Sequence, residues 1–194
     1  MKIINIFAAA ASAATLPNIP ELCEGNTLTA VANFDNGQGA VGQIFFRQDG
    51  CDGNVSLSGT VKLDNGSSNA NHGYHIHQYG DVTNGCGPSS TGGHFNPYQS
   101  PQGHFSNDWD KREVGQIGQV TCNENGELNV LSLTVSLYLG ECSPVENPED
   151  KLIRLYGLRS VLGRSLVIHA NPEPGPGGRI ACATIALTKV EPSL

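Results

Sequence analysis

Apolar and polar residues alternate with a period of two along much of the chain, and this pattern restricts the fold more than any other feature. Val130–Leu139, "VLSLTVSLYL", is the clearest case, because Leu or Val recurs at every second position and mostly Ser or Thr lies between. Such alternation places successive side chains on opposite faces of a β-strand. Similar patterns in Leu28–Phe34 and Ala40–Gln48 flank the turn-rich "DNGQG" and predict a β-hairpin.

The remaining strand-like segments extend the prediction to the whole chain. Asn54–Leu63, "RSLVIHA" and "RIACATIALTKV" alternate in the same way, and no internal window has the period of a long amphipathic helix. The 24 Gly and 11 Pro residues supply many turns. About eight short strands predict an all-β fold, a single Greek-key antiparallel β-barrel or sandwich with long functional loops. A chain of 194 residues is long enough for one such core.

The charge of the chain limits its partners. A formal net charge of −7, without any basic run, argues against a nucleic-acid-binding surface. An anionic substrate would therefore need a local positive patch, because the molecule as a whole repels it.

The N-terminal sequence "MKIINIFAAAASAATLP" has a lysine, then an apolar stretch, then small residues. It predicts a secretory signal peptide over residues 1–15 and a mature domain over 16–194, the alternative being a native N-terminal helix. The stretch is too short to span a membrane. Six cysteines agree with secretion into an oxidising compartment, where the sequons at Asn54 and Asn65 would be open to glycans.

Histidines occur at positions that favour a metal site. His75 and His77 in "GYHIHQYGD" are two residues apart, so in a strand both point to one face. Imidazole suits copper and zinc, but two polar residues on a solvated strand face would give the same pattern. His169 ends another strand, and His94 and His104 lie within Asp81–Arg112, a long Gly-, Asn- and Ser-rich segment without periodicity, which predicts a functional loop.

Four motifs in the same order, "GYHIHQYGD", "GGHFNP", "LVIHAN" and "GGRIACATI", resemble those of the copper/zinc superoxide dismutases, over about Leu28 to Lys189. The resemblance implies a copper-dependent enzyme that converts superoxide to dioxygen and hydrogen peroxide. It implies copper ligation by four histidines, the third of which bridges copper and zinc in that family: His75, His77, His94 and His169.

The same resemblance assigns three further residues. Cys86 and Cys182 match the disulfide that ties the long loop to the last strand, and Arg179 matches the arginine that attracts superoxide. The remaining cysteines allow three pairings among themselves: Cys23, Cys51, Cys122 and Cys142. His72 has no counterpart in the motif, and we interpret it as a loop residue.

The zinc ligands of the family are not retained. His104 fits one zinc histidine, but Glu113 stands where the second would be and Gln116 replaces the aspartate. An amide is a poor zinc ligand. We expect Glu113 to contact His94 instead and fix its orientation. One alternative is a three-ligand zinc site of His94, His104 and Glu113. Without such a site, His104 is a vestigial zinc ligand. The other alternative is that Glu113 is a solvated charge of the loop.

The segment between His169 and Arg179 is only nine residues, "ANPEPGPGG". Conventional members have a longer loop there, with guiding charges and a carboxylate that bridges the metal ligands. Both departures resemble the secreted copper-only superoxide dismutases, so we expect copper without zinc, in a monomer. In this interpretation His94 leaves copper on reduction and carries a proton to the peroxide. A conventional dismutase with an unusual zinc site and a non-catalytic copper-binding module remain as alternatives.

Overall fold

The computed structural model describes residues 25–35, 37, 39–64, 71–122, 127–130, 149–173, 175 and 177–189. Within these ranges the chain forms nine strands and one short helix. The elements, in chain order, are β1 Thr27–Phe34, β2 Ala40–Asp49, β3 Val55–Leu63, β4 Asn71–His77, α1 Pro88–Thr91, β5 Gln116–Thr121, β6 Glu127–Val130, β7 Glu149–Asp150, β8 Ser165–His169 and β9 Arg179–Leu187.

The strands pair in the order β5-β4-β8-β9-β1-β2-β3-β6, with the two-residue β7 also beside β3. Every pairing is antiparallel. The two ends of this order, β5 and β6, also contact each other, so the eight longer strands form a nearly closed barrel. This confirms the predicted all-β architecture, and the β1–β2 register from Thr27↔Asp49 to Phe34↔Gly42 confirms the predicted hairpin.

Alternate positions of the strands fill the interior of the barrel. On β1 and β2 the buried side chains recur with the period of two that the sequence shows, and β3 continues the pattern. The apolar side chains that these three strands contribute to the core are Ala30, Ala32, Phe34, Ala40, Ile44, Phe46, Val55, Leu57, Val61 and Leu63. Removal of this apolar surface from water is the main stabilising contribution to the fold.

One predicted strand lies mostly outside the described residues, and one predicted loop residue lies in a strand. Of Val130–Leu139, only Val130 lies within the described residues, at the end of β6, so the rest of that prediction falls outside them. The interpretation of His72 as a loop residue is wrong, because His72 is a buried residue of β4. Its side chain lies on the same face of β4 as those of Tyr74 and Ile76, two members of the core, and opposite to that of His75.

The segment 81–112 forms no strand and contains only the one-turn helix α1, as predicted for a long loop. Among the described helices none has the length and apolar character needed to cross a membrane.

Candidate metal centre

Backbone pairing brings four histidines together from three parts of the chain. His75 and His77 lie on one face of β4, which pairs with β8, and β8 ends at His169. His94 enters from the long loop through an antiparallel bridge to His77, and the amide of the next residue, Phe95, donates to the carbonyl of Ile76 over 2.9 Å. The loop is thus fastened to the strand that holds the first two histidines.

The four imidazoles form one compact cluster. One ring nitrogen of each histidine lies within 4.8 Å of the corresponding nitrogen of the other three. Among the described residues, no other group of three or more His, Cys, Asp or Glu residues has this arrangement. His75, His77 and His169 are almost completely buried, and His94 is partly exposed.

Backbone carbonyls set the tautomers of two members. The Nδ1 of His77 donates to the carbonyl of Gly92 over 3.1 Å, and the Nδ1 of His169 donates to the carbonyl of Gly177 over 3.2 Å. A carbonyl can only accept, so each Nδ1 has the proton and each Nε2 has a free lone pair. The two Nε2 atoms face each other at 3.2 Å.

In each of the other two members, His75 and His94, one ring nitrogen contacts a carboxylate. The Oε2 of Glu113 lies 2.6 Å from the Nδ1 of His94, and the Oε1 of Glu173 lies 2.6 Å from the Nε2 of His75. The first contact is a hydrogen bond, whereas the second has ion-pair distance without ideal hydrogen-bond angles. Two unprotonated atoms would repel at this distance, so we assign the proton to the nitrogen in both cases.

Burial favours the neutral form of three members of the cluster. It lowers the pKa of His77 to about 2 and that of His169 to about 4, and it lowers the pKa of His75 despite the opposing contact with Glu173. Neutral imidazoles retain the lone pair that binds a metal. The Nδ1 of His75 is buried without a hydrogen-bond partner, as expected of a nitrogen that would bind an ion. Four convergent imidazole nitrogens therefore fit a transition metal such as copper.

The comparisons with known proteins agree with this geometry. A family model described as copper/zinc superoxide dismutase matches residues 40–185. The chain belongs to this family. A protein of Brugia pahangi named extracellular superoxide dismutase (Cu-Zn) is 33% identical over 178 residues, which is 84% of this chain and 76% of the relative. A crystal structure of the clock protein EA4 matches 82% of this chain and 94% of its own with a TM-score of 0.62 at 26% identity.

Arg179 lies beside the histidine cluster of this superoxide dismutase family member. It pairs with His169 across β8 and β9, and its Nη2 donates to the carbonyl of Gly92 over 2.7 Å. Its Nη1 donates to the hydroxyl of Thr91 over 2.8 Å and to the carbonyl of Cys86 over 3.2 Å. The guanidinium is partly exposed and places a fixed positive charge next to the imidazoles of the cluster.

A disulfide joins Cys86, in the loop, to Cys182, in β9, as the resemblance implies. Its Cα atoms are 5.6 Å apart, within the ordinary range for disulfides. Cys51 is also disulfide-bonded. Cys23 and Cys142 lie outside the described residues.

The predicted zinc residues do not come together. His104 is exposed, its Nδ1 is 2.9 Å from the hydroxyl of Ser106, and it is not a member of the cluster. Gln116 is buried on β5. Glu113 contacts His94, as expected, and its other oxygen accepts from the amide of Asn96 over 3.3 Å.

A buried arginine holds the backbone on both sides of Glu113. Arg112 donates to the carbonyls of Asn107 and Gln116 and forms a fully buried ion pair with Asp150 at 2.8 Å. This network anchors the backbone before and after Glu113, and its removal would be strongly destabilising because it would leave a buried charge without its partner.

The sequence did not reveal two residues that contact the cluster. The Nδ1 of His72 lies 2.7 Å from the carbonyl of His169. Strand alternation alone could have placed His72 on the core face, although not beside this partner. Glu173 is in the short segment after β8, where no periodicity marks it. Burial opposes its ionisation, yet the contacts with His75 and Gln116 outweigh this and lower the pKa of its carboxyl. The shortened segment thus still provides a carboxylate.

Proposed function

We propose that this protein is a secreted enzyme that dismutes superoxide at a mononuclear copper site without zinc. The activity follows from its family: two superoxide anions and two protons give dioxygen and hydrogen peroxide. The residues that would hold copper are His75, His77, His94 and His169. Bound copper would supply the alternating one-electron oxidation and reduction.

The hydrogen bond between Glu113 and the Nδ1 of His94, at 2.6 Å, is the observation that supports a zinc-free site most directly. A histidine that bridges two metals must offer a lone pair from each nitrogen. Here the carboxylate acceptor keeps a proton on Nδ1 and leaves only Nε2 free for a metal. Glu113 therefore takes the position beside His94 that zinc has in conventional members.

The placement of the other candidate zinc ligands supports the same proposal. A structural zinc site needs about four nitrogen, thiolate or carboxylate ligands. His104 is turned to Ser106, outside the cluster, and Gln116 offers only a neutral amide. This arrangement disfavours a zinc site built from His94, His104 and Glu113.

Two groups prepare the site for an anionic substrate and for protons. Arg179 supplies a local positive charge beside the cluster in a chain of net charge −7, and its remaining N–H groups can bind an anion there. The pair of His94 and Glu113 can hold a proton at Nδ1 and is partly exposed, so that it can exchange protons with solvent. We assign Arg179, His94 and Glu113 the catalytic roles.

Secretion is part of the proposal. The relative from Brugia pahangi is named an extracellular enzyme, and disulfides suit an oxidising compartment. We propose that residues 1–15 are a signal peptide and 16–194 the mature, monomeric enzyme. The sequon residue Asn54 is exposed just before β3 and would be accessible to glycosylation.

Metal analysis of protein loaded with equal amounts of copper and zinc tests the proposal. We expect close to one copper per chain, negligible zinc and superoxide dismutation. His104→Ala should leave metal content and activity unchanged, because His104 lies outside the cluster. Stoichiometric zinc that disappears in His104→Ala would establish the three-ligand alternative, and copper binding without dismutation would establish the non-catalytic module.

A further inference from the structure

We infer that Glu173 is a positioning residue for the copper ligand His75, and that Gln116 holds Glu173 in place for this task. The inference rests on the copper site proposed above. It assigns a role to a side chain in the nine-residue segment that replaces the longer loop of conventional members, and it gives the amide at position 116 a purpose beyond the loss of a zinc ligand.

The contact between Glu173 and His75 is close and nearly dry. The two side chains are 9% and 0% exposed, and Oε1 and Nε2 lie 2.6 Å apart. A carboxylate at this distance keeps the proton of His75 on Nε2. The lone pair is then on Nδ1, a buried nitrogen without a hydrogen-bond partner. Glu173 thus selects the tautomer in which Nδ1 can bind copper.

Gln116 is placed to hold that carboxylate. It lies directly opposite His75 in the β4–β5 pairing and is 1% exposed. Its side-chain amide acts on the Glu173 carboxylate as a donor, and this interaction contributes to lowering the pKa of that carboxyl. The backbone amide of Glu173 also donates to the side-chain oxygen of Gln119 over 3.1 Å, so two glutamines of β5 hold the residue from both ends.

The chemistry of the amide explains why glutamine suits this position. An aspartate at position 116 would be a second buried carboxylate facing Glu173, and the two negative charges would repel. An amide can donate to Glu173 instead. With Gln116 present, the carboxylate can approach His75 and make its imidazole a stronger electron donor to copper. Loss of such a hydrogen-bond partner of a metal ligand typically lowers metal affinity about 10–100-fold.

The first test reads the tautomer in the metal-free protein. Long-range ¹H–¹⁵N NMR spectra should show His75 with its proton on Nε2, and Glu173→Ala should convert this signal to a mixture of tautomers while the signal of His77 stays unchanged. An Nδ1-protonated His75 in the wild-type protein, or an unchanged tautomer in Glu173→Ala, would overturn the inference without affecting the proposed copper site.

The second test measures copper. Competition with a chelator should show Cu²⁺ affinity about 10–100-fold lower in Glu173→Ala, with an altered EPR spectrum, a smaller loss in Glu173→Gln, and no change in the control Glu149→Gln, an exposed carboxylate on β7. Gln116→Met should weaken binding in the wild-type background and have no further effect when Glu173 is alanine.

The outcomes separate the two proposals. Full copper affinity and an unchanged EPR spectrum in Glu173→Ala would refute the role of Glu173 and leave the enzyme intact as proposed. If the wild-type protein itself binds no copper at the four histidines, both proposals fail together.

Discussion

Arg179 and His77 donate to the same acceptor, the carbonyl oxygen of Gly92, over 2.7 Å and 3.1 Å. One peptide group therefore sets the position of the Arg179 guanidinium and the tautomer of His77, a candidate copper ligand. The loop that supplies this group is fastened to the barrel by the disulfide between Cys86 and Cys182. In the proposed function, this shared contact would couple substrate attraction to metal binding through the loop backbone.

Gly92→Ala should disturb this shared acceptor. Gly92 has φ 73° and ψ −158°, a region open essentially only to glycine, and an added Cβ would lie 2.8 Å from the ring of Tyr79. We expect a loss of about 1–3 kcal/mol in the free energy of unfolding, together with lower dismutation activity, in urea titrations and superoxide assays. Gly93→Ala is the matched control, because its Cβ would meet nothing within 4 Å. Equal effects of the two substitutions would contradict this account.

Arg179→Ala should slow the capture of superoxide. Loss of the fixed positive charge removes local attraction for the anion, and we expect kcat/KM to fall on the order of tenfold or more, with a weaker dependence on ionic strength. Pulse radiolysis over a range of salt concentrations measures both. Arg47→Ala makes the same change of charge at a surface pair with Asp49 and should have little effect. An unchanged rate in Arg179→Ala would remove its guiding role.

The double substitution Cys86→Ala and Cys182→Ala should destabilise the enzyme. The disulfide closes a loop with a sequence separation of 96 residues, and loss of a native disulfide typically costs about 2–5 kcal/mol. Activity should fall as well, because Arg179 donates to the carbonyl of Cys86. Urea titration of the double variant is preferable to chemical reduction, since Cys51 is also disulfide-bonded. A free energy of unfolding equal to that of the wild type would refute this prediction.

The metal-free protein should lose stability as pH falls below about 6.5. The pKa values of His169 and His77 are lowered from 6.5 to about 4 and about 2 by burial. Between these values and 6.5 the unfolded chain binds more protons than the folded chain, so the free energy of unfolding decreases as pH decreases. Urea midpoints from pH 7 to pH 4 measure the slope, which His169→Gln should reduce. A flat profile over this range would contradict the buried, neutral state of His77 and His169.

The sequence predicted the site in so far as it depends on local periodicity and motif order. Alternation in β4 placed His75 and His77 on one face, and the motifs around His94 and His169 indicated the other two members. Glu113 was expected beside His94, and the structure places it there. His72 was misjudged because the motif was compared with a family pattern, although strand alternation already placed it on the face of Tyr74 and Ile76.

The amino-acid sequence by itself determined which side chains share a strand face, because side-chain direction in a strand repeats every two residues whatever the partner strand. Only the tertiary structure decided what those side chains meet. The pairing of His75 with Gln116, and the path of the short segment that brings Glu173 to His75, depend on strand register and loop closure between residues far apart in the chain. Such contacts are set by packing of the whole barrel, and no local pattern encodes them.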